Sequence, residues 1–126
     1  MPFRGRILVV DDNENVLSIM SDFLASGYVV DTAPNAATAL KSVAATPPDA
    51  ILLDVNMPGT DGVSLLASLR RLGIKTPVIV ITGYDAPGVG DRARQLGAEY
   101  LVKPVDLRTL DRLIANALRV APILKS

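Results

Sequence analysis

The sequence contains no cysteine and no histidine among its 126 residues. Without cysteine there is no disulfide framework, thiolate metal site, iron–sulfur cluster or cysteine nucleophile. Without histidine there is no histidine-based triad, no imidazole general base, little means of building a zinc site, and no internal phosphohistidine. An excess of charge is also missing, because 13 Lys and Arg balance 13 Asp and Glu. With no Lys/Arg run either, this argues against sequence-independent nucleic-acid binding, which rests on phosphate neutralisation. Mean hydropathy is +0.34, yet charges interrupt every apolar run well before the ~18 residues that a membrane span requires. The start, Met1-Pro2-Phe3-Arg4-Gly5-Arg6, leads into the short run Ile7–Val10 and then two aspartates. That is too short for the apolar core of a signal peptide. Low-complexity tracts and long linkers are absent as well. A single soluble, cytoplasmic domain is the expectation.

What is present is a core. Apolar residues make up 49% of the chain, too many for intrinsic disorder. They alternate between short runs and helical patterns, five times over. The runs are Ile7–Val10, Tyr28–Ala33, Ala50–Leu53, Val78–Ile81 and Tyr100–Val102. Between them, apolar residues recur at three- and four-residue spacing, the mark of amphipathic helices. The first stripe is Val16, Leu17, Met20, Phe23 and Leu24; the second is Ala36, Ala39, Leu40, Val43 and Ala44. Leu65, Leu66, Leu69 and Leu72 form the third, Val89, Ala93 and Leu96 a thinner fourth, and Leu107, Leu110, Ile114, Ala117 and Leu118 the fifth. Asn13, Asn35, Asp61 and Asp106 stand where N-caps belong. Gly27, Gly73 and Gly97 stand where helices end in a left-handed residue.

Strand–helix alternation at this spacing predicts an α/β fold with parallel strands and right-handed crossovers. Runs one, three and four are almost wholly apolar, as strands covered on both faces are. The second carries Asp31 and Thr32, and the fifth is flanked by Glu99 and Lys103, so both read as edges. The order 2-1-3-4-5 follows, a doubly wound five-stranded parallel sheet with five helices. In that order the crevice lies outside the carboxyl ends of strands one and three.

The residues at that rim are Asp11-Asp12, Asp54, Thr82 and Lys103-Pro104. Singly, most have a plain explanation: Asp12 or Asn13 as a helix cap, Thr82 as a turn hydroxyl, Lys103 as a solvated edge residue. Asp54 is different, since it closes an apolar run with no helix immediately behind it to cap. Together they bring three carboxylates, a hydroxyl and an ammonium to one place. Carboxylates ~4 Å apart repel by about 1–4 kcal/mol per pair, so such a cluster takes up a proton or a cation. Hard oxygen ligands without histidine or cysteine select Mg²⁺ or Mn²⁺ over zinc. With Lys103 and Thr82 alongside, the set makes an electrostatic cradle for phosphoryl transfer, with a carboxylate as nucleophile.

The segments ILVVDDNENV, ILLDVNMPGTDG, PVIVITGY and AEYLVKP occur in this order. Through them the sequence resembles the response-regulator receiver domains of two-component phosphorelays over roughly residues 5–119, leaving residues 120–126 as a tail or the start of a linker. The resemblance implies that Asp54 is the phosphoacceptor and Asp12 a direct Mg²⁺ ligand, with Asp11 acting mainly through water and the Asn56 carbonyl as a further ligand. It also implies that Lys103 pairs with the phosphoryl group, that Thr82 hydrogen-bonds it, that the Lys103–Pro104 bond is cis, and that Tyr100 is the aromatic switch residue. Such a protein is no enzyme acting on a separate substrate; it catalyses its own phosphotransfer and dephosphorylation. Met57-Pro58-Gly59 reads as a turn over the acidic pocket. Asn56 and Tyr84 are expected to flank the path of attacking water, with Tyr84 shielding the phosphoryl group. Gly88, Gly90 and Pro87 are poor material for a helix start, so the fourth helix is expected to begin only near Val89–Asp91.

Other readings fit less well. A flavodoxin-like FMN site needs a phosphate-binding loop where Asp11-Asp12-Asn13-Glu14 stands, and a dinucleotide binder needs G-x-G-x-x-G after the first strand. An aspartyl-phosphate hydrolase usually has a second catalytic Asp two residues after the first, where this chain has Asn56. That alternative and a degenerate receiver acting only as a binding module stay in view. Lacking histidine, the chain needs an external phosphohistidine, on a sensor histidine kinase or a histidine phosphotransfer domain. The responsive face would be helix four, strand five and helix five, where Arg92, Arg94, Arg108, Asp111 and Arg112 are expected to meet partners or a second copy in a dimer. The chain reads either as a stand-alone receiver working by protein–protein contact or as part of a longer regulator or hybrid kinase. The apolar tail Val120–Ser126 either leads into a longer chain or docks on a partner.

Overall fold

The computed structural model describes residues 3–56, 62–83 and 88–124. Its elements are β1 (Arg6–Val10), α1 (Glu14–Leu24), β2 (Val29–Ala33), α2 (Ala36–Ala45), β3 (Ala50–Asp54), α3 (Gly62–Arg71), β4 (Val78–Thr82), α4 (Val89–Gln95), β5 (Glu99–Val102) and α5 (Leu107–Leu118). The strands form one parallel sheet in the order β2-β1-β3-β4-β5, as the run compositions predict.

Alternation along the central strands divides the interior in two. Ile7, Val9, Leu52, Ile79 and Ile81 face a layer with Met20 and Leu24 of α1 and Leu110 and Ile114 of α5. Leu8, Val10, Ile51, Leu53 and Val80 face Ala39 and Val43 of α2, Leu65, Leu66 and Leu69 of α3, and Ala93 of α4. Both faces of β1, β3 and β4 are thus covered, which is why their sequences show no polar alternation. β2 is an edge: Asp31 pairs with Arg6 of β1 at 2.7 Å and Thr32 is exposed.

Local signals act where they were expected, with exceptions. Asn13 Oδ1 accepts the Asn15 and Val16 N–H groups, Asn35 Oδ1 that of Thr38, and Asp106 Oδ1 that of Arg108. Asp61, the Met57-Pro58-Gly59 turn and Tyr84 lie outside the described residues. α4 begins at Val89 behind the left-handed Gly88 (φ 84°), in the interval expected. Gly73 and Gly97 have φ of 80° and 75°, but Gly27 does not take a left-handed conformation. Its close neighbours are the Arg4 guanidinium, which a Cβ would displace, and Ile123, whose Cγ1 would stand 3.0 Å from that Cβ. Leu72 is not part of the buried stripe: α3 ends at Arg71, and Leu72 is 68% exposed in the turn beyond it. The largest correction concerns Asp111. It is 1% exposed and accepts the N–H groups of Ile123 and Leu124, so it is not a surface charge offered to partners.

Candidate functional site

Parallel strands end at one rim, and their closing residues meet there. Asp11 follows β1, Asp54 closes β3, Thr82 closes β4 and Lys103 follows β5. Backbone bonds continue the sheet to its edge: Asp11 N–H to the Ala33 carbonyl at 3.1 Å, Val55 N–H to Ile81 at 3.0 Å, and Lys103 N–H to Thr82 at 2.7 Å. The Lys103–Pro104 peptide is cis. Side chains at these positions therefore sit on a rigid frame rather than on free loops.

Carboxylate oxygens of Asp11, Asp12 and Asp54 lie within 4.8 Å of one another. Asp11 and Asp54 are buried, at 4% and 5% exposure, while Asp12 faces solvent. Burial raises the Asp11 pKa to about 6, opposed by the Asn13 N–H bond and reinforced by the neighbouring Asp54 charge. Asp54 Oδ2 is 3.3 Å from Lys103 Nζ, and its Oδ1 accepts the Asn56 N–H at 2.8 Å. A small cavity of about 30 Å³ runs beneath, between Asp11, Asp54 and Lys103 and the apolar Val16, Met20 and Ile81. The donor set fits Mg²⁺: hard oxygens, high negative charge, one solvent-facing ligand, and too few protein ligands to fill an octahedron.

Asn56 has a role that sequence reasoning missed. Its side-chain Oδ1 accepts the Thr82 hydroxyl at 2.9 Å and also the Gly83 N–H. The resemblance implied only its backbone carbonyl as a ligand. No sequence signal distinguishes an amide that crosses to the next strand from one that faces water. Tyr100 is half-buried against α4, where Gly90 makes room: a Cβ there would come within 3.2 Å of its ring. The Arg94 guanidinium stands 5.9 Å from the ring centroid.

Residues 7–115 match the family model described as the response regulator receiver domain. The chain belongs to this family. The receiver is 42% identical over 118 residues to the transcriptional regulatory protein PrrA of Mycobacterium tuberculosis, covering 90% of this chain and 50% of that protein. To the regulatory protein AtoC of Escherichia coli it is 37% identical over 123 residues, covering 96% of this chain and 27% of AtoC. The chain therefore spans half or less of these curated relatives. Among solved structures, a CheY-like receiver domain protein of Methanospirillum hungatei superposes with a TM-score of 0.85 at 30% identity, over 90% of this chain and 93% of that one. No helix among the described residues is long and apolar enough to cross a membrane.

Proposed function

We propose that this receiver accepts a phosphoryl group on Asp54 from a phosphohistidine of another protein, a sensor histidine kinase or a histidine phosphotransfer domain. The observation that carries the reading is Asp54 itself, a buried carboxylate closing a central strand, with two further carboxylates on one side and the Lys103 ammonium on the other. An Asp54 oxygen attacks phosphorus, the P–N bond of the donor breaks, and its electron pair returns to the imidazole nitrogen, leaving an acyl phosphate. Asp11, Asp12, Asp54 and the Asn56 carbonyl would hold Mg²⁺ or Mn²⁺, which supplies charge neutralisation for the phosphoryl oxygens. Lys103, already at Asp54, is placed to move its ion pair onto the phosphoryl group. This role places the chain in the cytoplasm with its donor. Incubation with a small phosphodonor and Mg²⁺ tests the proposal: the mass should rise by one phosphoryl group, labile to alkali and hydroxylamine. No gain in mass would overturn it.

The donor is expected to dock beside Lys103. A groove of about 340 Å³ leads there between Val16, Ile19 and Met20 of α1 and Pro104, Val105 and Leu107, and Ile19 is 60% exposed. A large exposed apolar side chain beside a reactive group suits transient protein contact. Ile19→Asp should slow phosphotransfer from the protein donor at least about tenfold, the equivalent of ~1.4 kcal/mol, and leave the reaction with a small phosphodonor unchanged. Equal slowing with both donors would count against this docking site.

Phosphorylation would then change the partner of Thr82. An acyl phosphate carries three strong acceptor oxygens, and for Thr82 to reach them its hydroxyl leaves the Asn56 amide and the loop moves inward. A hydrogen bond to a charged group contributes about 1.5–3 kcal/mol, a bias of roughly 10- to 150-fold between the two states. The displaced loop opens space for Tyr100 to turn inward, altering the surface of α4, β5 and α5, with its exposed Arg92, Arg94, Arg108 and Arg112, for a partner or a second copy. Beryllofluoride should therefore slow amide exchange across residues 82–100. Thr82→Ala should still accept phosphate at Asp54 but lose this response, and a full response in that variant would refute the coupling.

A further inference from the structure

After Leu118 the chain turns back along α5 instead of leaving it. Arg119 is left-handed, with φ of 57°. The Arg119 and Val120 N–H groups bond the Asn116 and Ala115 carbonyls at 3.3 and 3.0 Å, a Schellman-type reversal. The chain then returns about 10 Å along the helix axis, the rise from Leu118 back to Asp111. There the two carboxylate oxygens of Asp111 accept the Ile123 and Leu124 N–H groups at 2.8 and 2.7 Å.

The arrangement resolves two requirements at once. A carboxylate buried to 1% exposure demands hydrogen-bond donors, and the tail amides supply one to each oxygen. Val120 and Ile123 pack against the layer shared by α1 and α5, which includes Leu24, Tyr28 and Ile114. Gly27 leaves the seat: a Cβ at that position would come within 3.0 Å of Ile123 Cγ1.

We infer that residues 119–124 are a C-terminal clip, anchored on Asp111, that belongs to the folded receiver and fills the furrow between α1 and α5 on the side away from the carboxyl rim. The occupant of that furrow is the chain's own segment and not a partner. Asp111 has both oxygens engaged and serves the clip. The groove near Ile19 and Pro104 stays open beside it. The described end of the clip, Leu124, lies against Asp111. None of this depends on phosphorylation.

Amide exchange on the full chain, unphosphorylated, tests the inference. The Ile123 and Leu124 amides should exchange at least about tenfold more slowly than in an unfolded chain. Asp111→Ala should return both to the unfolded rate while the amides of Leu52 and Ile79 in the sheet stay protected. Ile123→Asp sets a second carboxylate beside Asp111 and removes the apolar contact without touching the sheet. It should release the Leu124 amide in the same way, and it decides the matter if Asp111→Ala does not fold. Unfolded-rate exchange at Ile123 and Leu124 in the native chain, or retained protection in a folded Asp111→Ala or in Ile123→Asp, would overturn the clip.

Discussion

Asp54→Asn should abolish phosphorylation by a small phosphodonor while preserving the fold. The amide oxygen lacks the charge that makes the carboxylate a nucleophile, so the loss should be complete within detection. The structure should survive because Asn keeps an oxygen to accept the Asn56 N–H, now bonded at 2.8 Å. The variant loses the 3.3 Å ion pair with Lys103, but it also loses the repulsion between Asp54 and Asp11. These changes oppose each other, and stability should change by no more than about 1 kcal/mol. A second readout is the titration of Asp11. Burial is the main reason for its raised pKa and would persist, but the Asp54 contribution would vanish, so Asp11 should titrate below its present value of about 6. An acyl phosphate formed by Asp54→Asn at native yield would sink the assignment.

Asp11→Asn should slow metal-dependent phosphorylation strongly and stabilise the metal-free protein above pH 6. The Asp11 pKa is about 6 when folded against 3.8 for the free side chain, so the folded state binds the proton more tightly. Its stabilising contribution is complete below about pH 4 and is lost as pH rises through 6, where the buried carboxylate ionises. Each tenfold gain in proton affinity is worth about 1.4 kcal/mol, so the loss reaches roughly 3 kcal/mol. Unfolding free energy of the metal-free chain should accordingly fall between pH 4 and 6 on account of this group, and Mg²⁺ should restore it above pH 6. Asn at this position still accepts the Asn13 N–H, now bonded to Asp11 Oδ1 at 3.0 Å, but carries no charge. The variant should lose both the pH slope and the Mg²⁺ stabilisation, and its phosphorylation rate should fall about 100-fold or more, the upper range for losing a metal-supporting group. A native pH slope and native Mg²⁺ response in Asp11→Asn would contradict this account.

The sheet was legible in the sequence because burial on two faces leaves no room for polar residues in β1, β3 and β4. Their order then followed from the polar content of β2 and β5. The candidate site was legible for a related reason: in a parallel sheet the residues closing each strand share a rim, so Asp11, Asp54, Thr82 and Lys103 meet whatever the intervening helices contain. Helix starts at Asn13, Asn35 and Asp106 were equally readable, since a cap acts on amides two or three residues away.

Most of what escaped the sequence involves partners a dozen or more residues away. Leu72 continues a helical stripe on paper, but the helix ends one residue earlier, and the position turns to solvent. Asn56 is ordinary until β4 brings the Thr82 hydroxyl and the Gly83 amide to its side chain. Asp111 follows Leu110 on the margin of the α5 stripe, where a charge usually faces water; the returning tail buries it and supplies its hydrogen bonds. Gly27 has the place of a helix-ending glycine, yet its lack of a side chain admits Arg4 and Ile123. The sequence by itself therefore determined the strands, the order of the sheet and the acidic rim, because burial and local hydrogen bonding act over a few residues and leave periodic traces. Only the tertiary structure decided the acceptor of the Thr82 hydroxyl, the partner of Asp111 and the path of the tail. Those contacts join residues a dozen or more positions apart, beyond the few-residue reach of helix and strand periodicity, and no local pattern records them.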